Sequence, residues 1–306
     1  MKNLLPVFAL LLVACGSGAT TATEENNGAP RASSGCGLGS LEAGTHAFTF
    51  DYGGLERTYE VHVPAIYDDN TATPLLLNLH PLVLGGQLHG IWTSESRQNV
   101  KSEEAGFIVL QPDGTGGLAS WNGGDRCCSP ASTEGVDDVG FIDALVRHTQ
   151  AQLCIDERRV YATGMSNGGY LSHRIACEFP GRLAAIAPVV GSLSQELVCE
   201  DGRGVPVLQL SGREDSLASR QQSVDSWIDV NKCSDSTTIT HQVGGVTCTT
   251  HDDCKDGAVV THCIVDDGGH CSFSDADPQL SPGCAARDDI TSQDLIWDFF
   301  SQWHLP

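Results

Sequence analysis

The stretch VYATGMSNGGYLSHRIACEF, residues 160–179, decides how the rest of the chain is read. Val160, Tyr161 and Ala162 form a β-type apolar run that reaches Gly164-Met165-Ser166-Asn167-Gly168. A helical pattern follows at once, with Tyr170, Leu171, Ile175 and Phe179 at helical spacing. Strand, tight turn and helix in that order are the context in which GxSxG holds a strained, exposed serine. The glycines let the strand and the helix approach closely. A helix starting there aims backbone N–H groups, and the positive end of its dipole, at developing negative charge. Ser166 is the predicted nucleophile. A chance GxSxG in a glycine-rich loop would lack both flanking patterns.

Upstream, Thr45–Phe50 and Thr58–Val63 alternate like two antiparallel strands, turning through Asp51–Gly54, and Pro64 ends the second. The apolar run 74–80 reads as a buried strand, and the loop 81–90 follows it. Residues 93–105 have helical spacing and 107–110 read as a strand. The long loop 111–136 carries Trp121. Asp138 is placed to cap a helix whose buried face is Ile142, Leu145, Val146, Thr149 and Leu153. Downstream, strands are expected over 183–190, 205–211 and 259–265, and helices over 224–230 and 291–303. Thr291 and Asp294 are placed like a capping box on the last of these. Segment 233–257, rich in Cys, Thr and Asp, shows little periodicity. Strands alternating with helices predict an α/β fold, a mostly parallel sheet with helices on both faces and the α/β-hydrolase order of elements.

A serine hydroxyl needs a base, and the base needs a carboxylate to orient it. In that order of elements the acid follows a later strand and the histidine comes last. The strand ending near Leu210 runs into Ser211-Gly212-Arg213-Glu214-Asp215, and the strand ending at Val265 runs into Asp266-Asp267-Gly268-Gly269-His270. Asp215 is the expected acid, ahead of Glu214 and Asp267, and His270 the expected base. His241, His251, His262 and His304 do not follow a strand in this way. The oxyanion hole is expected to use the N–H of Asn167 and an N–H from the loop after His80. Leu82 is the choice among several amides of HPLVLGG.

The chain has 306 residues, room for one large domain. MKNLLPVFALLLVAC begins with a cation and an apolar run, and Leu12–Cys15 resembles a bacterial lipobox. The expected organisation is a signal peptide over 1–14, a flexible tether over 15–35 beginning at a lipidated Cys15, and a catalytic domain over 36–306. That implies export, as an outer-membrane lipoprotein or a secreted protein, held to the membrane by lipid alone. Thirteen cysteines less Cys15 leave an even set in an exported chain, which suggests disulfides. Cys271 with Cys284, and Cys233 with Cys248 or Cys254, are the pairs tried first. A metal site drawing on Cys127-Cys128, or on Cys248, Cys254, His251 and His262, is the weaker alternative. A formal charge of −22 argues against a nucleic-acid partner and is otherwise ordinary solvation.

The pieces PLLLNLHP (74–81), GFIVLQPDGTGG (106–117), WNGGDRCC (121–128), VDDVGFIDAL (136–145) and RRVYATGMSNGGYLSHRIACE (158–178) carry a resemblance. So do RLAAIAPVVGSL (182–193), VPVLQLSGREDS (205–216), DDGGHCSF (266–273) and IWDFFSQW (296–303). In order and spacing they resemble the polyhydroxybutyrate depolymerase/feruloyl esterase family of secreted α/β-hydrolases. The resemblance implies an extracellular serine esterase acting on polymer-linked or aryl esters, with Ser166, Asp215 and His270 as its triad. It also implies that the loop carrying Trp121 lies near the substrate. The serine mechanism needs no metal or organic cofactor, and a monomer is expected. Two positions depart from the pattern: Pro81 replaces the usual glycine, and Cys271-Ser272 replace an aromatic-proline pair. They bear on the oxyanion geometry and on the pocket. The rival readings are a serine peptidase using the same constellation, and a surface lipoprotein that keeps the fold for binding. Retention of serine, acid and histidine argues against the second. Segment 233–257 could also be a partner-docking insert.

Overall fold

The computed structural model describes residues 29–39, 41–84, 97–124, 127–218, 220–273 and 291–306. Cys15, most of the expected tether, loop residues 85–90 and Cys284 lie outside these. Ten strands form one sheet: β1 (Gly44–Tyr52), β2 (Leu55–Val63), β3 (Thr73–Leu79), β5 (Ile108–Pro112), β7 (Ile155–Met165), β8 (Ala185–Val189), β9 (Val207–Gly212), β10 (Thr237–Val243), β11 (Val246–His251) and β12 (Val260–Val265). Their spatial order is β1-β2-β5-β3-β7-β8-β9-β12-β11-β10, and the six strands from β5 to β12 are mutually parallel. An antiparallel hairpin closes each side. Two short strands, β4 (Val83–Leu84) and β6 (Leu118–Ala119), pair separately.

Consecutive leucines in β3 follow from cover on both faces. Leu75, Leu77 and Leu79 join one core with Ile142 and Leu145 of α3 (Asp138–Gln152), Leu171 and Ile175 of α4 (Asn167–Glu178), and Trp227 of α5 (Arg220–Asn231). Leu76 joins the opposite core with Ile296 and Phe300 of α6 (Ser292–Phe300). A side-chain period of two sends neighbours to opposite faces, so both must be apolar. On the second face, Tyr161 stacks on Phe300 at 4.7 Å and Phe107 on Trp297 at 4.2 Å. Two further helices, α1 (Gln98–Ala105) and the single turn α2 (Ala131–Glu134), complete the described set. The fold is α/β-hydrolase.

Several sequence expectations shift. The cap of α3 is Asp137, whose side chain accepts from Gly140 N. Asp138 is instead buried in an ion pair with Arg57. The terminal helix does carry its expected cap, Thr291, accepting from Asp294 N. Segment 233–257 holds the β10–β11 hairpin, turning through Gly244 and Gly245, both at positive φ. The fold also begins before Cys36. Ser33 N donates to Ile155 O at 2.9 Å and Ala32 bridges Asp156, so residues 31–35 lie along the start of β7 rather than forming tether. Gly35 serves the close approach: a Cβ there would sit 2.5 Å from Leu153 N.

Disulfides join Cys36–Cys154, Cys127–Cys128, Cys177–Cys199, Cys233–Cys254 and Cys248–Cys263. Of the two partners expected for Cys233, the structure has Cys254, whereas Cys248 pairs across the β11–β12 ladder, where it directly faces Cys263. Cys271 is also disulfide-bonded, its expected partner Cys284 lying outside the described residues. The thiols that a metal site would have drawn on are thus committed to disulfides, and no metal-binding group of His, Cys, Asp or Glu occurs among the described residues. No helix among those residues is long and apolar enough to cross a membrane.

Candidate active site

Ser166 occupies the turn between β7 and α4 at φ 50° and ψ −116°, a conformation an L-residue holds only under constraint. Its own N–H donates to Val189 O at the end of β8 (2.9 Å). The two motif glycines act through space. A Cβ on Gly164 would lie 2.6 Å from the Gly168 carbonyl, and one on Gly168 would collide with the Leu79 carbonyl. The strained torsion therefore belongs to the serine, and the glycines let α4 settle directly on β3 and β7.

The parallel strands β7, β8, β9 and β12 are consecutive neighbours, so their carboxyl ends form one rim. Ser166 follows β7, Asp215 follows β9 and His270 follows β12. His270 Nδ1 lies 3.0 Å from Asp215 Oδ2, and the Asp215 side chain is fully buried while His270 is partly exposed. Asp215 Oδ1 is taken by Leu217 N at 2.8 Å. The other two acidic candidates, Glu214 and Asp267, are both exposed, and the neighbouring Asp266 pairs on the surface with Arg213. A buried carboxylate on Nδ1 fixes the imidazole tautomer that leaves Nε2 to face a nucleophile. Gly212 and Gly268 make the junction possible: a Cβ on Gly268 would meet Gly212 Cα at 3.0 Å.

Asn167 begins α4, and its N–H is among those a helix leaves without an internal partner. Its side chain is engaged elsewhere. Oδ1 accepts from Trp121 N (2.7 Å) and Nδ2 donates to Trp121 O (2.9 Å), a paired latch between α4 and the 111–136 loop. Trp121 has no exposed surface, and its indole Nε1 donates to His80 O at 3.0 Å. The resemblance implied a place near the substrate; the side chain itself is fully buried and forms a floor against His80 and the Asn167 end of α4. The His80 ring packs against it at a tilt, centroids 4.8 Å apart, accepts from Gly114 N through Nε2 (2.8 Å), and donates through Nδ1 to Pro81 O (2.6 Å). The His80–Pro81 backbone is thereby held from both sides. Pro81 has no N–H, so Leu82, whose side chain is exposed, carries the next amide along.

A buried ion pair supports this floor. Arg57 Nη2 lies 2.8 Å from Asp138 Oδ1, with the guanidinium 3.9 Å from the Phe141 ring centroid and 5.6 Å from that of Trp121. Asp138 Oδ2 accepts from Asn122 N (2.7 Å). Burial pushes the Asp138 carboxyl up and the Arg57 guanidinium down, and each charge opposes the shift of the other. No sequence pattern announced Arg57, His80 or the Asn167 latch.

Fold and rim geometry together define an α/β-hydrolase, and comparison with known proteins narrows the class. Residues 93–199 match the Prolyl oligopeptidase family. The chain is similar to feruloyl esterase B of Piromyces equi, 27% identical over 274 residues, which are 82% of this chain and 46% of that protein. It is 28% identical to feruloyl esterase D of Neurospora crassa over 291 residues, 89% of this chain and 91% of the relative. A bifunctional acetylxylan esterase/xylanase of Neocallimastix patriciarum is 26% identical, and the chain spans 34% of its length. The chain thus covers less than half of two of these relatives. Among solved structures, the acetyl xylan esterase from Aspergillus awamori superposes with a TM-score of 0.62 at 15% identity, covering 84% of this chain and 99% of the other. The chain has the α/β-hydrolase fold and is similar, at 26–28% identity, to feruloyl and acetylxylan esterases.

Proposed function

We propose that the protein is a serine esterase that hydrolyses feruloyl or acetyl esters of polysaccharide, with Ser166 as nucleophile, His270 as base and Asp215 as its orienting acid. The observation that carries this reading is the His270 Nδ1–Asp215 Oδ2 contact of 3.0 Å, on the same strand-end rim as the strained Ser166. His270 takes the Ser166 proton as Oγ attacks the ester carbonyl. The N–H groups of Asn167 and Leu82 receive the oxyanion, and His270 then protonates the leaving alcohol. Water repeats the cycle and releases the acid. The ester class is supported by the names of the similar proteins, two feruloyl esterases and an acetylxylan esterase. Polyhydroxyalkanoate-type polyesters are a second substrate class for the same chemistry. In our reading the enzyme is exported, works as a monomer, and is held to the membrane by lipid on Cys15.

The test is turnover of p-nitrophenyl acetate, p-nitrophenyl butyrate and methyl ferulate by wild type and Ser166→Ala. Loss of turnover by at least about 1,000-fold in the variant is expected. Equal inactivity of two folded proteins on all three esters would sink the reading. A peptidase reading has one specific observation behind it, the Prolyl oligopeptidase match over 93–199. A chromogenic prolyl peptide in the same assay separates the two.

A further inference from the structure

A buried polar chain joins the elements that carry the proposed triad. We propose that its central member, His173, is a positioning residue that holds the nucleophile helix in register with the acid strand. The proposal rests on the triad of Ser166, Asp215 and His270. His173 lies on α4, about two turns beyond Ser166, and has no exposed surface. Its Nδ1 is 2.9 Å from Trp227 Nε1 on α5, and its Nε2 is 3.0 Å from Gln209 Oε1 on β9. An indole N–H can only donate, so Nδ1 accepts and Nε2 carries the proton. Gln209 Nε2 then donates to Gly191 O, just past β8, and to Leu210 O, both at 3.2 Å, with Ser211 Oγ at 3.5 Å. Ser211 Oγ is 3.1 Å from His262 Nε2 on β12. The chain runs from α5 through α4 and β9 to β12, one layer beneath the catalytic rim.

Stability alone does not call for this arrangement, because apolar residues of like volume usually serve a core as well. Directional bonds supply something apolar contact does not, a fixed register between elements. The helix they hold has little slack. A Cβ on Gly191 would lie 2.6 Å from Gly169 Cα, so α4 rests backbone against backbone at the end of β8. A shift of α4 would displace Ser166 and the Asn167 N–H together, and a misplacement of about 1 Å can cost about 100-fold in rate. Burial pushes the His173 imidazole down to about 4, so it is neutral at working pH and moves no proton itself.

His173→Leu, His173→Gln and Ser166→Ala are compared with wild type on p-nitrophenyl butyrate, alongside labelling by a fluorophosphonate. Glutamine can accept from Trp227 and donate to Gln209. His173→Leu is expected to lower kcat by about 10- to 100-fold with KM within about twofold, to label to full stoichiometry more slowly, and His173→Gln to recover most of kcat. Wild-type kcat in His173→Leu, a parallel change in KM, or a loss that glutamine does not restore would overturn the proposal. If His173→Leu does not fold, Trp227→Phe takes its place: reduced kcat at constant KM supports the role, and unchanged kcat overturns it. Turnover persisting in Ser166→Ala would remove the triad itself. An inactive Ser166→Ala beside a fully active His173→Leu removes only the positioning role.

Discussion

At the scale of single residues, the proposed nucleophile and base could be picked out from the chain because each sits in a local signature. Ser166 lies in a strand–turn–helix, and His270 follows two glycines after a strand. Asp215 could be read only as one carboxylate of a cluster, since its burial comes from the fold. Trp121 is where local reading says least about the contacts the side chain makes. An aromatic in a long glycine-rich loop resembles a substrate platform, yet its backbone is latched to Asn167 and its indole to His80 O. Trp121→Phe tests the floor role. It keeps an aromatic ring but leaves the His80 carbonyl without its donor, at a cost of about 1–3 kcal/mol. Stability in urea and kcat should fall together while KM holds; a raised KM alone would return Trp121 to the substrate.

At the scale of elements, the apolar strands and amphipathic helices were legible because periodicity survives without knowledge of the fold. The β10–β11 hairpin was not, although Gly244-Gly245 between two threonine-rich runs is a two-residue turn signal. β10 lacks the apolar alternation that burial writes into sequence, being almost wholly exposed, and β11, which does alternate, buries only Val246, Cys248 and Thr250. The link between β2 and α3 was equally hidden, because an ion pair across elements leaves no periodic trace. Arg57→Met should destabilise the domain by about 3–5 kcal/mol by stranding Asp138 without its partner. The double variant Arg57→Met/Asp138→Leu should recover much of that loss. A single variant as stable as wild type in urea titration would mean that the pair does not hold the Trp121 floor.

At the scale of the whole molecule, two features govern stability. The Cys36–Cys154 disulfide spans 118 residues and pins the segment around Cys36 to the start of β7. Replacing both cysteines by alanine should cost about 2–5 kcal/mol, read as a lower melting temperature with kcat per folded molecule preserved. Acid sensitivity follows from His173, whose pKa is pushed from 6.5 down to about 4 by burial. The unfolded chain takes up this proton below pH 6.5 and the folded protein only near 4. Its contribution is therefore complete above pH 6.5 and lost as pH falls toward 4, by about 3 kcal/mol. His173→Gln should flatten the decline of melting temperature over that window, and an unchanged slope would show that other groups dominate.

The central claim is that Ser166 is a nucleophile activated by His270 at this rim. Its most direct test is reaction of the full-length protein with a fluorophosphonate, followed by peptide mapping of the adduct. The account predicts one adduct, on Ser166, forming at least about 100-fold more slowly in His270→Ala. An adduct on another residue, or none on the folded protein, would contradict it.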